Sequence, residues 1–257
     1  MSTETGAETG RRLLVVRLGQ MPYGNALELQ RAAARARISG VVADDVLLLV
    51  EHPPVITTGR TTKGQNLLAT RELLQARGVE LFDVERGGDV TFHGPGQLVG
   101  YPIVDLKQHR KDLHWYLRQV EEVLIRSLAE LGIEGERSQG FTGVWTRGAI
   151  GAPLHPSHKI ASIGVHARDW VTWHGFALNV TTDLSFFELM VPCGIEGVAM
   201  TSIARETGGI IVTVDDVAGL VASAFAHVFA LPELVALSRE AFMDLLSHDR
   251  PTDTPGS

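Results

Sequence analysis

Arg86-Gly87-Gly88-Asp89-Val90-Thr91-Phe92-His93-Gly94-Pro95-Gly96-Gln97 is the stretch around which this chain reads. Paired glycines let a backbone pass close to a ligand and adopt positive φ. Arg86 suits an anionic or carbonyl group, and His93 can donate a hydrogen bond or transfer a proton. A glycine-rich hairpin carrying a surface arginine fits the same residues. The glycine and lysine spacing of a phosphate-binding loop is missing. Directly after it, Gln97 to Asp105 has strand character. Asp112 to Leu131 is the clearest predicted helix, with Leu113, Tyr116, Leu117, Val120, Leu124, Leu128 and Leu131 on one face.

Outward from this centre, strands and helices mix. Arg12 to Leu18 reads as a strand, Asn25 to Arg37 as a helix, and Val46 to Glu51 as a buried strand stopped by Pro53-Pro54. Thr70 caps a short helix ending near Gly78. Short strands are expected around Val144, Ile160 to His166 and Val171 to Asn179, with Gly151 to His158 a loop between them. Thr213 and Asp216 open a helix to about Phe229 by a capping-box pattern. Pro232 suits the first turn of a last helix reaching Leu246. Without a regular βαβ rhythm, the expected class is α+β (mixed α/β): one domain over 11–248, with disordered ends at 1–10 and 249–257.

The bulk numbers exclude several classes. The 257 residues are 44% hydrophobic and 21% charged, with a formal net charge of -7, as in ordinary globular enzymes. There is no basic stripe for nucleic acid. No apolar run approaches the roughly 18 residues of a membrane span, and Met1 to Gly10 lacks an apolar leader segment; the expected location is the cytoplasm. A single cysteine forbids an intramolecular disulfide.

Three further segments carry chemistry. Lys159-Ile160-Ala161-Ser162-Ile163-Gly164 reads either as a solvated strand end or as a pocket wall with a lysine at its head. His174-Gly175-Phe176-Ala177-Leu178-Asn179 has small residues that leave room for an acyl chain, or that pack tightly. Pro192-Cys193-Gly194-Ile195 sets the one cysteine in a turn, where functional side chains are commonly held; a lone cysteine is otherwise an inert core residue. The histidines show no metal-site spacing.

In order, Glu51-His52-Pro53-Pro54-Val55, Arg86 through Leu98, Thr142-Gly143-Val144-Trp145, Lys159 through Gly164, His174 through Asn179 and Pro192-Cys193-Gly194 resemble the lipoyl(octanoyl) transferase family. The resemblance implies the catalytic fold of biotin and lipoate protein ligases, a mixed sheet flanked by helices. It implies an acyltransferase that moves an octanoyl group from octanoyl-acyl carrier protein to a lysine of lipoyl domains, those of 2-oxoacid dehydrogenase complexes and the glycine cleavage H protein. Cys193 matches the family's acyl-thioester cysteine and Lys159 its essential lysine. Substrate would be held by Arg86, Gly87, Gly88, Asp89, Val90, Thr91, Phe92 and His93, by Ser162, Ile163 and Gly164, and by Gly175, Phe176 and Ala177. No cofactor and no metal is implied.

Such a reaction needs an ionised thiol. At pH 7 a free cysteine is only about 3% thiolate, and half ionisation costs about 2 kcal/mol. A lysine ammonium about 4 Å away supplies up to roughly 4 kcal/mol at an effective dielectric near 20. A neutral thiol and amine pair, with Lys159 as general base, is the alternative. Backbone N–H groups near Gly194 and Gly164 are the expected oxyanion donors, and Arg60, Lys63 and Arg86 the expected docking cations. Rival readings are an ATP-dependent lipoate–protein ligase, an octanoyl amidotransferase and a non-catalytic acyl-protein binding module.

Overall fold

Asp45–Glu51 (β2), whose residues are buried almost throughout, is a central strand of the large sheet. The computed structural model describes residues 11–62, 64–147, 158–192, 198–209 and 211–247. The expected disordered ends, the 151–157 loop, Lys63, Cys193 and Gly194 lie outside the described residues. On one side, β2 pairs in parallel with Arg12–Gln20 (β1). On the other it pairs antiparallel with Gln97–Ile103 (β6). The sheet continues antiparallel through Val171–Asn179 (β10), His158–Arg168 (β9), Val144–Thr146 (β8) and Gly135–Glu136 (β7). Eight strands are thus joined among the described residues, two of the seven pairings being parallel. This is the mixed sheet expected from sequence.

Alternation of side chains across each strand sorts the core into two faces. Leu13, Val15, Leu47, Leu49, Leu98 and Leu178 point to one face. It is covered by Leu113–Ala129 (α3) and Val214–Val228 (α5), which bring Tyr116, Val120, Leu124, Val217, Val221 and Phe225. Leu14, Val16, Val46, Leu48, Val50 and Val99 point to the other, under Tyr23–Ser39 (α1) and Arg239–Ser247 (α6). The expected starts of α3 and α5 hold: Asp112 accepts from the Trp115 N–H, and Thr213 and Asp216 form a reciprocal capping box. Leu113, expected on the buried stripe, is 40% exposed in the first turn.

One expectation needs correction. The chain after Pro232 does not enter a helix; Glu233–Leu237 (β11) first pairs in parallel with β1 from Arg12↔Glu233 to Val16↔Leu237. An uncovered β1 edge would present unpaired backbone groups, and β11 satisfies them before α6 begins. The buried strand does stop before Pro53-Pro54, as expected, at Glu51. Val55–Thr58 (β3) follows at once and forms a small sheet with Glu80–Asp83 (β4) and Thr91–His93 (β5). The short helices Arg71–Ala76 (α2) and Ile203–Glu206 (α4) complete the named elements. No helix among the described residues is long and apolar enough to cross a membrane.

Candidate active site

A cavity of about 830 Å³ opens between the small sheet and the β6–β10–β9 part of the large one. Its walls include Arg86, Gly88, Asp89, Val90, Thr91 and His93 from the glycine-rich segment. Ser162, Ile163 and Gly164 of β9, and Gly175, Phe176 and Ala177 of β10, supply further walls. Two expected residues stand elsewhere. Phe92, between Thr91 and His93 on β5, faces away and stacks on Phe186 at 4.7 Å. Gly87 donates its N–H to the Val165 carbonyl at 2.8 Å and joins the two walls.

Lys159 lines the cavity and is 1% exposed, not a solvated strand end. Its Nζ lies 4.9 Å from the centre of the Trp145 ring, a face that attracts cations. Gly143, at φ 133°, gives the side chain its space. A Cβ there would stand 2.8 Å from Lys159 Cε and 2.6 Å from the Ala161 oxygen. The Gly143 N–H donates to Glu121 on α3 at 3.2 Å. Glu121 is fully buried and held by Arg118 at 2.6 Å and Arg137 at 3.2 Å.

The chain on either side of Cys193 is anchored on residues that line the cavity. Before it, the Val191 N–H donates to the Asn66 carbonyl at 2.8 Å, and the Asn66 amide donates to Asp89. After it, the Lys159 N–H donates to the Ala199 carbonyl at 2.8 Å, and the Thr201 N–H to the Lys159 carbonyl at 3.0 Å. The segment bearing Cys193 therefore leaves and rejoins the described chain beside Asn66 and Lys159.

Arg86 differs from expectation. It is 7% exposed, so it is no docking cation at a pocket mouth. Its Nη2 donates to the Thr57 oxygen at 2.6 Å and to Thr57 Oγ1 at 2.9 Å. A Cβ on Gly59 would lie 2.8 Å from Nη1, and one on Gly164 3.2 Å from Cδ. Those glycines keep the guanidinium's seat open, as well as shaping the wall.

Tyr23, Asn66, Val99, Tyr101 and Phe141 line the cavity too, as does His174, which stood in a quoted motif without being given a site role; the other five were not singled out from sequence. Tyr101 had a signal, since a tyrosine inside an apolar strand needs a buried partner: it donates to His52 Nε2 at 2.7 Å, while His52 Nδ1 donates to the Met21 carbonyl at 2.7 Å. Burial lowers His52 to about 4 and His93 to about 3, so both are neutral near pH 7. His174 takes φ 56° within β10. Its N–H leaves the ladder and donates to Gln30 Oε1 at 3.0 Å, near Pro102, which has no N–H to pair. No group of three His, Cys, Asp or Glu among the described residues could hold a metal ion.

The model of the lipoyl protein ligase A/B catalytic domain matches residues 22–226. A solved structure of a putative lipoate protein ligase from T. acidophilum superposes with a TM-score of 0.68 at 16% identity, over 93% of this chain and 92% of that one. The fold is thus that of a lipoate-protein ligase catalytic domain, as expected. The octanoyltransferase of Koribacter versatilis is 47% identical over 243 residues, 94% of this chain and 92% of that protein. That of Gloeobacter violaceus is 45% identical over 225 residues, 86% and 91% of the two. The chain belongs to the octanoyltransferase family.

Proposed function

We propose that this chain transfers an octanoyl group from octanoyl-acyl carrier protein to a lysine of lipoyl domains, through a thioester on Cys193. The acceptors are lipoyl domains of 2-oxoacid dehydrogenase complexes and the glycine cleavage H protein, and the reaction takes place in the cytoplasm. The observation that carries the reading is Lys159: a buried lysine on the wall of an acyl-sized cavity, whose backbone is paired to Ala199 and Thr201 just beyond Cys193. A cavity of about 830 Å³ lies within the roughly 300–1,000 Å³ range of small-ligand pockets.

The chemistry balances with these two groups. The Cys193 thiolate attacks the donor thioester carbon, and the carrier thiolate leaves and takes a proton from the Lys159 ammonium. A neutral acceptor lysine then attacks the Cys193 thioester. The C–S bond breaks, the amide forms, and neutral Lys159 takes the amine's extra proton while Cys193 leaves as thiolate. Thioester exchange is near neutral in energy and amide formation runs downhill. A thiolate suits both steps as nucleophile and leaving group.

The test is transfer from octanoyl-acyl carrier protein to a lipoyl domain with neither ATP nor free acid present. Octanoyl amide on the domain, lost in Cys193→Ala and reduced about 10²- to 10⁴-fold in Lys159→Ala, is the expected result. Modification that needs ATP, magnesium and free acid, and survives Cys193→Ser, would replace the transferase by a ligase.

A further inference from the structure

Behind the cavity wall, between His93 and Lys159 which line it, runs a chain of side-chain amides that the reaction above does not use. His93 Nδ1 lies 2.8 Å from Gln97 Oε1. Gln97 Nε2 donates to Asn179 Oδ1 at 2.9 Å and to the Phe92 carbonyl at 3.2 Å. Asn179 Nδ2 donates to the Thr201 carbonyl at 2.9 Å. Thr201 in turn donates its N–H to the Lys159 carbonyl. Gln97 and Asn179 are each 1% exposed, and His93 is 7% exposed.

The direction of this chain is forced. Backbone carbonyls only accept, so Asn179 must turn its amide nitrogen to Thr201 and its oxygen to Gln97. Gln97 then presents nitrogen to Asn179 and Phe92, and oxygen to His93. An oxygen facing Nδ1 requires Nδ1 to carry the proton. The imidazole is neutral, because burial and the neighbouring His52, Arg86 and His174 all disfavour a cation. Its Nε2 is left with a lone pair. The ring plane is set by Tyr23, stacked 5.9 Å away, and by His52, edge-on at 6.0 Å. The ionisable groups facing it are Tyr23 from α1, His52 after β2, Arg86 before β5 and His174 on β10; none is a carboxylate. Burial holds the Tyr23 hydroxyl near 12, so it too stays neutral.

We propose that Gln97 and Asn179 are positioning residues that lock His93 as the Nδ1–H tautomer, so that Nε2 accepts a hydrogen bond from the incoming lysine amine and orients it towards the thioester. The proposal rests on the transferase reading for the identity of that amine. The tautomer itself does not. Because the chain of bonds ends on the backbone of Lys159, the acceptor site and the lysine are fixed to one another through two amide side chains. His93 takes no proton in this account; it is an acceptor for an N–H that stays on nitrogen until Lys159 removes it.

The test uses the full chain with 15N-labelled histidine. Nitrogen-resolved NMR of the wild type is expected to show a neutral His93 protonated at Nδ1 from pH 5 to 9. Gln97→Glu sets a carboxylate against Nδ1–H, which raises the proton affinity of the ring. In single turnovers this variant should load Cys193 normally, yet pass the octanoyl group to the lipoyl domain about tenfold more slowly at pH 6, recovering as pH rises and His93 loses its added proton. A proton on Nε2 in the wild-type spectrum would overturn the proposal without any variant. So would a Gln97→Glu transfer step with the wild-type pH profile. If the wild type moved no octanoyl group at all, the transferase reading would fail and His93's acceptor role with it, while the tautomer would remain as the spectrum shows.

Discussion

Lys159 is held inside the protein, with Trp145 across its Nζ and Gly143 against its Cε. Its geometry depends on a missing methyl group. Gly143→Ala would press a Cβ to 2.8 Å from Cε at a φ that side chains rarely adopt. The expected result is at least a tenfold loss of Cys193 acylation, with a cost of about 1–3 kcal/mol in urea unfolding; unchanged acylation would mean that Lys159 tolerates displacement. The glycine-rich segment was legible in the sequence because paired glycines flanked by Arg86 and His93 are unusual; Lys159 was singled out by the family resemblance, since a lysine at the head of a strand reads on its own as a solvated end. Tyr23 was not, and His174 was quoted in a motif without a site role, because an aromatic near a helix start and a histidine in a strand usually belong to packing. Only the fold brings both to the cavity.

At the scale of elements, α3 does more than cover the sheet. Its Glu121 carboxylate ties the Gly143 loop to the helix and sits between Arg118 and Arg137. The arginines are 47% and 38% exposed at their side chains, so water can serve them if the carboxylate is lost, whereas the buried Gly143 N–H would be left unmade. Glu121→Ala is therefore expected to cost about 2 kcal/mol and to slow acylation more than binding of carrier protein. Equal loss in both would point to general unfolding. The apolar stripe of α3 was readable from spacing, apart from Leu113 in its first turn. The strand β11 was not. Glu-Leu-Val-Ala-Leu after a proline fits a helix locally, and only the open edge of β1, about 220 residues earlier in the chain, makes it a strand.

For the whole molecule, two buried histidines contribute to the acid limit. His52 falls to about 4 and His93 to about 3, against about 6.5 in the unfolded chain. Above pH 6.5 both states hold them neutral and there is no penalty. Below it the unfolded chain binds protons that the folded one refuses, so stability declines as pH falls from 6.5 towards 3. Chemical unfolding across that window should show a loss of several kcal/mol, and a double variant, His52→Gln with His93→Gln, should flatten the curve. Docking is a second whole-molecule property. With a net charge of -7 and Arg86 buried, the proposed reaction is expected to draw acidic carrier or lipoyl domains through exposed cations such as Arg60. The KM for carrier protein is expected to rise between low and 0.3 M salt as those cations are screened; a flat KM would assign docking to apolar contact. The mixed sheet was legible because strands and helices follow no βαβ rhythm. The cavity's walls came from the family resemblance and not from periodicity, since it lies between two sheets and the smaller one is built from three- and four-residue strands too short to carry a periodic signal.

Intact mass reads the proposed octanoyl-Cys193 thioester, and the part Lys159 plays in forming it, directly. The protein is mixed with octanoyl-acyl carrier protein, without ATP or acceptor, beside Cys193→Ala and Lys159→Ala. The account predicts one octanoyl group gained by the wild type, none by Cys193→Ala, and slow gain by Lys159→Ala. A wild type that stays unmodified, or a Cys193→Ala variant that still gains the group, would contradict it.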